Sequence, residues 1–489
     1  MPAQLSAFVQ SVLRFSLATQ LPLTIILQEI SMRVTQFLFM TVLALSLGAG
    51  SILAQSLTPS YIPAAPYYAA DASADSSLEH RLSTLEEALK KKADKVDTKK
   101  AFDHKIDGRA FFESVSFGDP HVKSGDFEGQ HDYFGFRETH LGFGGSGFDV
   151  LEYKVEVTLK ASGTTFNDVF FGVKNVPGFD YVRIGHYKVE TGMGQVGSAL
   201  NTTAMETTTA TQAFSPGRRV GIGQTYYFAD ESVRWFNGIF GSGDVGADKF
   251  YPTTAPVSDL GMIYNSRLTF VPYYAQEGAK YLHFGGHYMY REKPRSTDAT
   301  FSAPGVKIGG FNRASNWFTP IANAQDYHQG GLEAAWGRGR LAVSSELFAG
   351  TFGSGRDLYG GYVEVRYFLT GEHRPYNKRN GVMGAVKTKK NFLTAEDFIQ
   401  TCHGAVKGFT FDSMGAWEVY TQLVFTDSTR VHAVDDLGGG RSVDTALGLN
   451  WYWNPNARMM FEYVHSDGTS NGSYRATDDI FATGFRFNF

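Results

Sequence analysis

One cysteine, Cys402, stands in 489 residues, so no internal disulfide is possible. There is no basic surplus either. Lys and Arg number 45 against 49 Asp and Glu, a net charge of -4, which argues against nucleic-acid binding. Past the N-terminal region the chain has no uninterrupted apolar run of roughly 20 residues, the length a membrane helix needs. Its mean hydropathy is -0.22. No cofactor is expected. The Gly438-Gly-Gly440 stretch precedes a strand, not the helix that a phosphate cradle requires. Asp119, His121 and His131 are too loosely spaced to suggest a metal site.

What is abundant points elsewhere. Aromatics make up 15% of the chain, with 40 Phe and 25 Tyr, beside 54 Gly. High aromatic and glycine content without long apolar runs suits a transmembrane β-barrel, in which every second residue is polar. The last twelve residues carry the pattern most clearly. Phe481, Thr483, Phe485, Phe487 and Phe489 fall on one face of a strand, and Ala482, Gly484, Arg486 and Asn488 on the other. Such a strand places its aromatic face in lipid and its polar face in a lumen.

Residues 1–54 read as an export signal with a possible upstream extension. Arg33 precedes an apolar core from Val34 to Leu47, and small residues follow to Ala54. Without this segment the net charge is about -5. Residues 55–75, rich in Pro, Ala, Ser and Tyr, read as a linker. In 76–100, Leu78, Leu82, Leu85, Leu89 and Val96 keep heptad spacing, interrupted at Lys92 and flanked by Glu79, Glu86, Glu87, Lys90 and Lys91. The reading favoured is a short coiled coil that gathers subunits; an amphipathic helix lying on the barrel or membrane is the alternative.

Residues 101–489 read as the barrel. Val363, Val365, Tyr367 and Leu369 alternate with Glu364, Arg366 and Phe368, and Tyr153, Val155, Val157 and Leu159 alternate with Glu152, Lys154, Glu156, Thr158 and Lys160. Leu447, Leu449, Trp451 and Trp453 alternate with Gly448, Asn450 and Tyr452, ending at Asn454-Pro455-Asn456 like an interfacial aromatic girdle. Strand-like runs number about 16, beginning near residues 105, 134, 151, 169, 181, 218, 233, 261, 281, 329, 341, 358, 416, 441, 457 and 478. The fold class expected is all-β: a transmembrane antiparallel β-barrel with a short N-terminal coiled-coil helix. The long connection from Glu190 to Gly217, poor in charge, is a candidate for an inward-folded loop.

Six segments in order resemble the phosphate-selective porin O and P family. They are 106–113, 182–188, 214–223, 370–376 with 380–381 and 389–392, 415–418 and 449–456. The resemblance implies a sixteen-stranded trimeric porin in a Gram-negative-type outer membrane, with outer-membrane lipid around it and small anions or other hydrophilic solutes passing through. The best-known members select anions with lumenal arginines and lysines. Basic residues stand at matching places here, notably Arg109 and Arg137. Glu138, Glu152 and Leu200 stand where phosphate-specific members tend to be basic, and Thr300–Gly310 holds only Lys307. The expectation is a porin for small hydrophilic solutes, weakly anion-preferring, without a tight phosphate site.

By alternation Arg109, Lys154, Arg183, Arg219, Arg366 and Arg486 point inward, as do Asp107, Glu113, Glu152, Glu156 and Glu364. Arg137, whose neighbourhood alternates poorly, and Lys188 join them as anion-contact candidates. Two other classes compete. A lipase-like barrel enzyme would use Gly468-Thr-Ser-Asn-Gly472 near His465, or a serine near His186, but that motif works as a strand-to-helix elbow and here joins two strands. A structural envelope tether would rely on the coiled coil.

Overall fold

The computed structural model describes residues 83, 86–87, 102–118, 121–122, 132–160, 163–241, 261–292, 307–308, 311–312, 326–352, 356–392, 414–427, 440–470 and 475–489. The chain divides into two compact units, Met1–Asp103 with Ser146–Asp149, and His104–Gly145 with Val150–Phe489. In the first unit Ser83, Glu86 and Glu87 are helical and exposed. The expected signal and linker, and the rest of the expected coiled coil, lie outside the described residues. So does the Asp119 and His131 pair.

Sixteen long strands form the barrel. They are β1 Phe102–Phe117, β2 Tyr133–Gly147, β3 Leu151–Lys160, β4 Gly163–Val176, β5 Phe179–Lys188, β6 Arg218–Phe228, β7 Val233–Gly241 and β8 Met262–Ala275. The second half is β9 Lys280–Arg291, β10 Tyr327–Arg338, β11 Leu341–Phe352, β12 Arg356–Phe368, β13 Ala416–Asp427, β14 Gly440–Asn454, β15 Ala457–Ser470 and β16 Arg475–Asn488. Each pairs with its chain neighbours, and β1 also pairs with β16, which closes the sheet. Closure leaves no open edge, the condition for a sheet to stand in hydrocarbon. The closing register sets Arg109 opposite Asn488 and Phe112 opposite Phe485. Phe489 exchanges both backbone hydrogen bonds with Gly108, at 3.1 and 3.0 Å. A side chain at 108 would collide with the Phe489 ring, so glycine is what lets the terminal aromatic lie down.

The faces separate as period two requires. On β16 Phe481 and Phe487 are exposed while Ile480, Ala482 and Arg486 are buried. On β12 and β14 Val363, Tyr367 and Leu447 face out, and Glu364, Arg366, Asn450 and Tyr452 face in. Around Arg137 the alternation breaks. Phe134 and Phe136 are exposed before it, but Leu141 and Phe143 after it, so the outward parity switches between them. Arg137 and Glu138 consequently both reach inner-wall partners. A register shift between Val155 and Val157 does the same across the sheet, turning Asn167 and Asp168 inward together.

Short turns such as 177–178, 229–232, 339–340 and 455–456 gather at one end, which is the periplasmic end by the usual pattern of such barrels. At that end Trp417 stacks on Trp451 at 5.0 Å, and Trp451 and Trp453 both meet Phe392. This is the expected aromatic girdle. The long connection after β12 also belongs to this end, and its short pairing of Tyr376–Asn377 with Val382–Met383 folds over the inner wall.

Candidate functional site: the inward loop and the passage beside it

Between β5 and β6 the chain runs from Val189 to Gly217 with two short helices, α1 Met193–Val196 and α2 Thr209–Ala213. Its small side chains let the backbone lie close to the barrel wall. That proximity strips water from its N–H and C=O groups, which must then find partners. The wall supplies them by charge. Glu346 accepts from the N–H of Met193 at 2.6 Å and of Gly194 at 3.0 Å, and Glu462 from the N–H of Met205 at 2.7 Å. Arg486 donates to the carbonyls of Ala199 (2.9 Å) and Met205, and Arg458 to that of Thr202 at 2.8 Å. Arg374 donates to the Asn201 carbonyl, and Asn450 to that of Thr203 at 2.9 Å. Carboxylates thus take the loop's donors and arginines its acceptors.

Loop side chains complete the seam. Thr203 donates to Glu364 at 2.9 Å and Thr209 to Asp444 at 2.6 Å. Glu190 is held bidentately by Arg234 at 2.6 and 2.8 Å, with Arg267 3.6 Å away. Burial pushes the Glu190 carboxyl up, but Arg234 and then Arg267 outweigh it and hold its pKa below the usual range. Phe214 stacks on Phe348 at 5.2 Å, inside an apolar cluster that includes Tyr187, Phe236, Phe240 and Tyr362. On the side of β7 to β16 the loop is thus bonded along the wall, with a cavity between them lined by Ser198, Glu206, Ser344, Glu364, Arg366 and Gln422.

The side of β1 to β6 is different. There Glu113 and Glu156 are buried, but four charged side chains keep some access: Lys154 is 29% exposed, Arg218 23%, Asp168 20% and Glu138 17%. On the side of β7 to β16 Arg267, Glu333, Arg374 and Glu418 are at most 2% exposed.

The sequence-derived candidates are placed as follows. Arg109 meets His140 at 2.6 Å and lies 3.6 Å from Glu138 and 3.5 Å from Glu156. Arg137 pairs with Glu206 of the loop and lies 3.8 Å from Glu113. Lys154 bridges Glu156 at 2.6 Å and Asp168 at 3.7 Å. Lys188 donates to the Gly197 carbonyl at 2.6 Å. Arg219 donates to the carbonyl of Arg218 at 3.1 Å. Arg183 lies over the rings of Phe170, Tyr187 and Tyr181, at 4.4, 5.1 and 5.2 Å. These six stand on strands β1 to β6. Arg366 and Arg486 do not join them. Arg366 is buried against Glu364, Ser344 and Tyr281, and Arg486 against the loop backbone and the Phe111 ring at 4.3 Å.

Several site residues escape the sequence reading. Arg218 holds Asp168 at 2.7 Å, although Arg219 is the neighbour that alternation selects. Asp168 is inward only because of the register shift. Glu346, Glu462 and Asp444 do sit at alternating positions, which was the available signal, but nothing local marks them as loop anchors.

The enzyme motif finds no support in its geometry. Gly468–Ser470 ends β15 as strand, with no helix after it among the described residues, and His465 is 2.8 Å from Asp479. His186 has its Nδ1 2.5 Å from the Asn167 carbonyl.

Comparison with known proteins agrees with this architecture. The family model for phosphate-selective porin O and P matches residues 115–489. Porin O of Pseudomonas aeruginosa is 23% identical over 426 residues, covering 80% of this chain and 90% of that protein. An uncharacterized protein of Caulobacter vibrioides is 26% identical over 249 residues, 49% of this chain and 48% of its own length. Among solved structures, the anion-selective porin of Comamonas acidovorans has a TM-score of 0.48 at 12% identity, covering 79% of this chain and all of that one. OmpT of Vibrio cholerae, in trimer form, has a TM-score of 0.47 at 14% identity, covering 80% of this chain and 100% of that one. With a closed sixteen-stranded barrel, lipid-facing aromatics and a lumen narrowed by its own loop, the chain belongs to the phosphate-selective porin O and P family and is an outer-membrane porin for small hydrophilic solutes.

Proposed function

We propose that solutes cross between the inward loop and the wall of β1 to β6, and that this passage weakly favours anions. The contrast in exposure carries the reading: Lys154 and Arg218 keep access to the lumen, whereas the arginines of the opposite side are buried against wall carboxylates or the loop backbone. Arg109 and Arg219 extend the basic strip, and Arg137 and Lys188, held by Glu206 and the Gly197 carbonyl of the loop, border it. Carboxylates at Glu138, Glu156 and Asp168 face the same strip and screen it, so the preference is weak. Dehydrating phosphate tightly needs several unscreened donors converging on one point. Leu200 stands on the loop where a further cation would help. The protomers assemble as a homotrimer, a reading supported by the porin fold and the heptad pattern of residues 76–100.

Planar-bilayer recording tests this directly. In a potassium chloride gradient the reversal potential takes the sign of chloride preference, and added phosphate reduces chloride current little. The double variant Lys154→Glu, Arg218→Glu removes or inverts the preference. A cation-preferring wild-type channel would end the basic-strip reading, and strong block by micromolar phosphate would show a rebuilt phosphate site.

A further inference from the structure

Beneath the aromatic girdle lies a second feature that conduction does not use. Arg338 closes β10 on its outward face, directly opposite Lys280 of β9, so two like charges share one rung. Arg340 follows in the next turn. The segment after the periplasmic pairing brings Lys387, Lys389 and Lys390 to the same rim, all exposed. Arg340 and Lys389 converge: a side chain added at Gly371 would meet the guanidinium of one and the ammonium of the other, both at 2.9 Å. Like charges gathered on one rim repel each other and together attract an anion.

No carboxylate in the described structure provides it. Arg338, Arg340, Lys387, Lys389 and Lys390 form no ion pair among the described residues. Glu372, which lies beside them, is buried and already accepts from the N–H of Lys389 at 3.2 Å and from the Thr370 hydroxyl. Burial, and next the charge of Lys389, push the pKa of neighbouring His373 below its usual value, so the site is positive without that ring.

The position of this rim names its partner. The N–H of Phe392, two residues past Lys390, bonds the Trp453 carbonyl at 2.6 Å, and its ring packs on Trp451 at 4.8 Å. Leu369 bonds the Trp417 carbonyl at 2.8 Å. Tryptophans of this kind sit at headgroup level. The basic groups therefore lie where lipid phosphates run, and polybasic segments at that depth attract anionic lipids. We propose that the arc from Arg338 to Lys390 binds the headgroup phosphates of anionic phospholipids in the periplasmic leaflet, anchoring this sector of the barrel.

The test is lipid retention by the purified full chain in detergent, read by native mass spectrometry. Phosphatidylglycerol is retained over phosphatidylcholine of the same chains by about five-fold or more. The variant Arg340→Gln, Lys387→Gln, Lys389→Gln, Lys390→Gln falls to parity, while its single-channel conductance stays at the wild-type value. Equal retention of the two lipids by the wild-type protein overturns the proposal, whether or not the variant folds. So does a folded variant that keeps the preference. Displacement of phosphatidylglycerol by excess inorganic phosphate would assign the site to a free solute and overturn the lipid assignment.

Discussion

Glu346 shows what a lumenal charge becomes once a loop lies on it. Its carboxylate accepts from two backbone N–H groups of the loop and from the Tyr362 hydroxyl at 2.9 Å, and it is 1% exposed. Replacing it by alanine strands those donors without water, at about 1–3 kcal/mol for each. For Glu346→Ala we expect a lower unfolding temperature in detergent and a larger, noisier single-channel conductance, because α1 loses its tether to the wall. Wild-type noise and conductance would mean that the loop is held elsewhere. Its inward direction was legible in the sequence, since Glu346 alternates with Ser345 and Leu347. Its task was not, because the Met193 N–H it holds lies 153 positions away.

At the scale of elements, period two located nearly every strand, because each one separates lipid from lumen and so carries the same alternation. It failed at two irregular places. Near Arg137 and near Asp168 an extra inward residue interrupts the count, and a single register step reverses every later side chain. Gly185 marks another departure. Its φ of 138° is strained for an L side chain, and an added Cβ would stand 2.3 Å from the Val169 carbonyl. Gly217 also has positive φ, 73°, but open space around it. Gly185→Ala should therefore prevent recovery of the heat-modifiable folded form, whereas Gly217→Ala should cost only about 1–2 kcal/mol. Equal folding yields for the two variants would show that the contact at Val169 is not decisive.

At the scale of the whole molecule, closure and assembly are separate matters. The barrel closes through β1 and β16 by its own hydrogen bonds. The heptad segment is not needed for that. Deleting residues 76–98 should weaken the proposed trimer in detergent, seen by light scattering as dissociation at higher protein concentration. Conductance per channel should persist, because each barrel holds its own passage. Loss of conductance with the stalk would show that the segment acts on the pore itself.

The sequence by itself determined that this chain is a β-barrel, how many strands it has, which faces meet lipid, and which loop folds inward. Those properties are local: alternation, turn residues and loop composition are written within a few positions of one another. Tertiary structure alone decided which inward charges face the passage. Arg366 and Arg486 alternate as well as Arg109 and Lys154 do. They differ in what takes up their donors: Glu364, Ser344 and Tyr281 of neighbouring strands for Arg366, and for Arg486 the backbone of the loop Val189–Gly217 on its path across the lumen. An arginine whose donors meet a buried carbonyl is structural, and one left beside water can meet a solute. No spacing along the chain distinguishes the two.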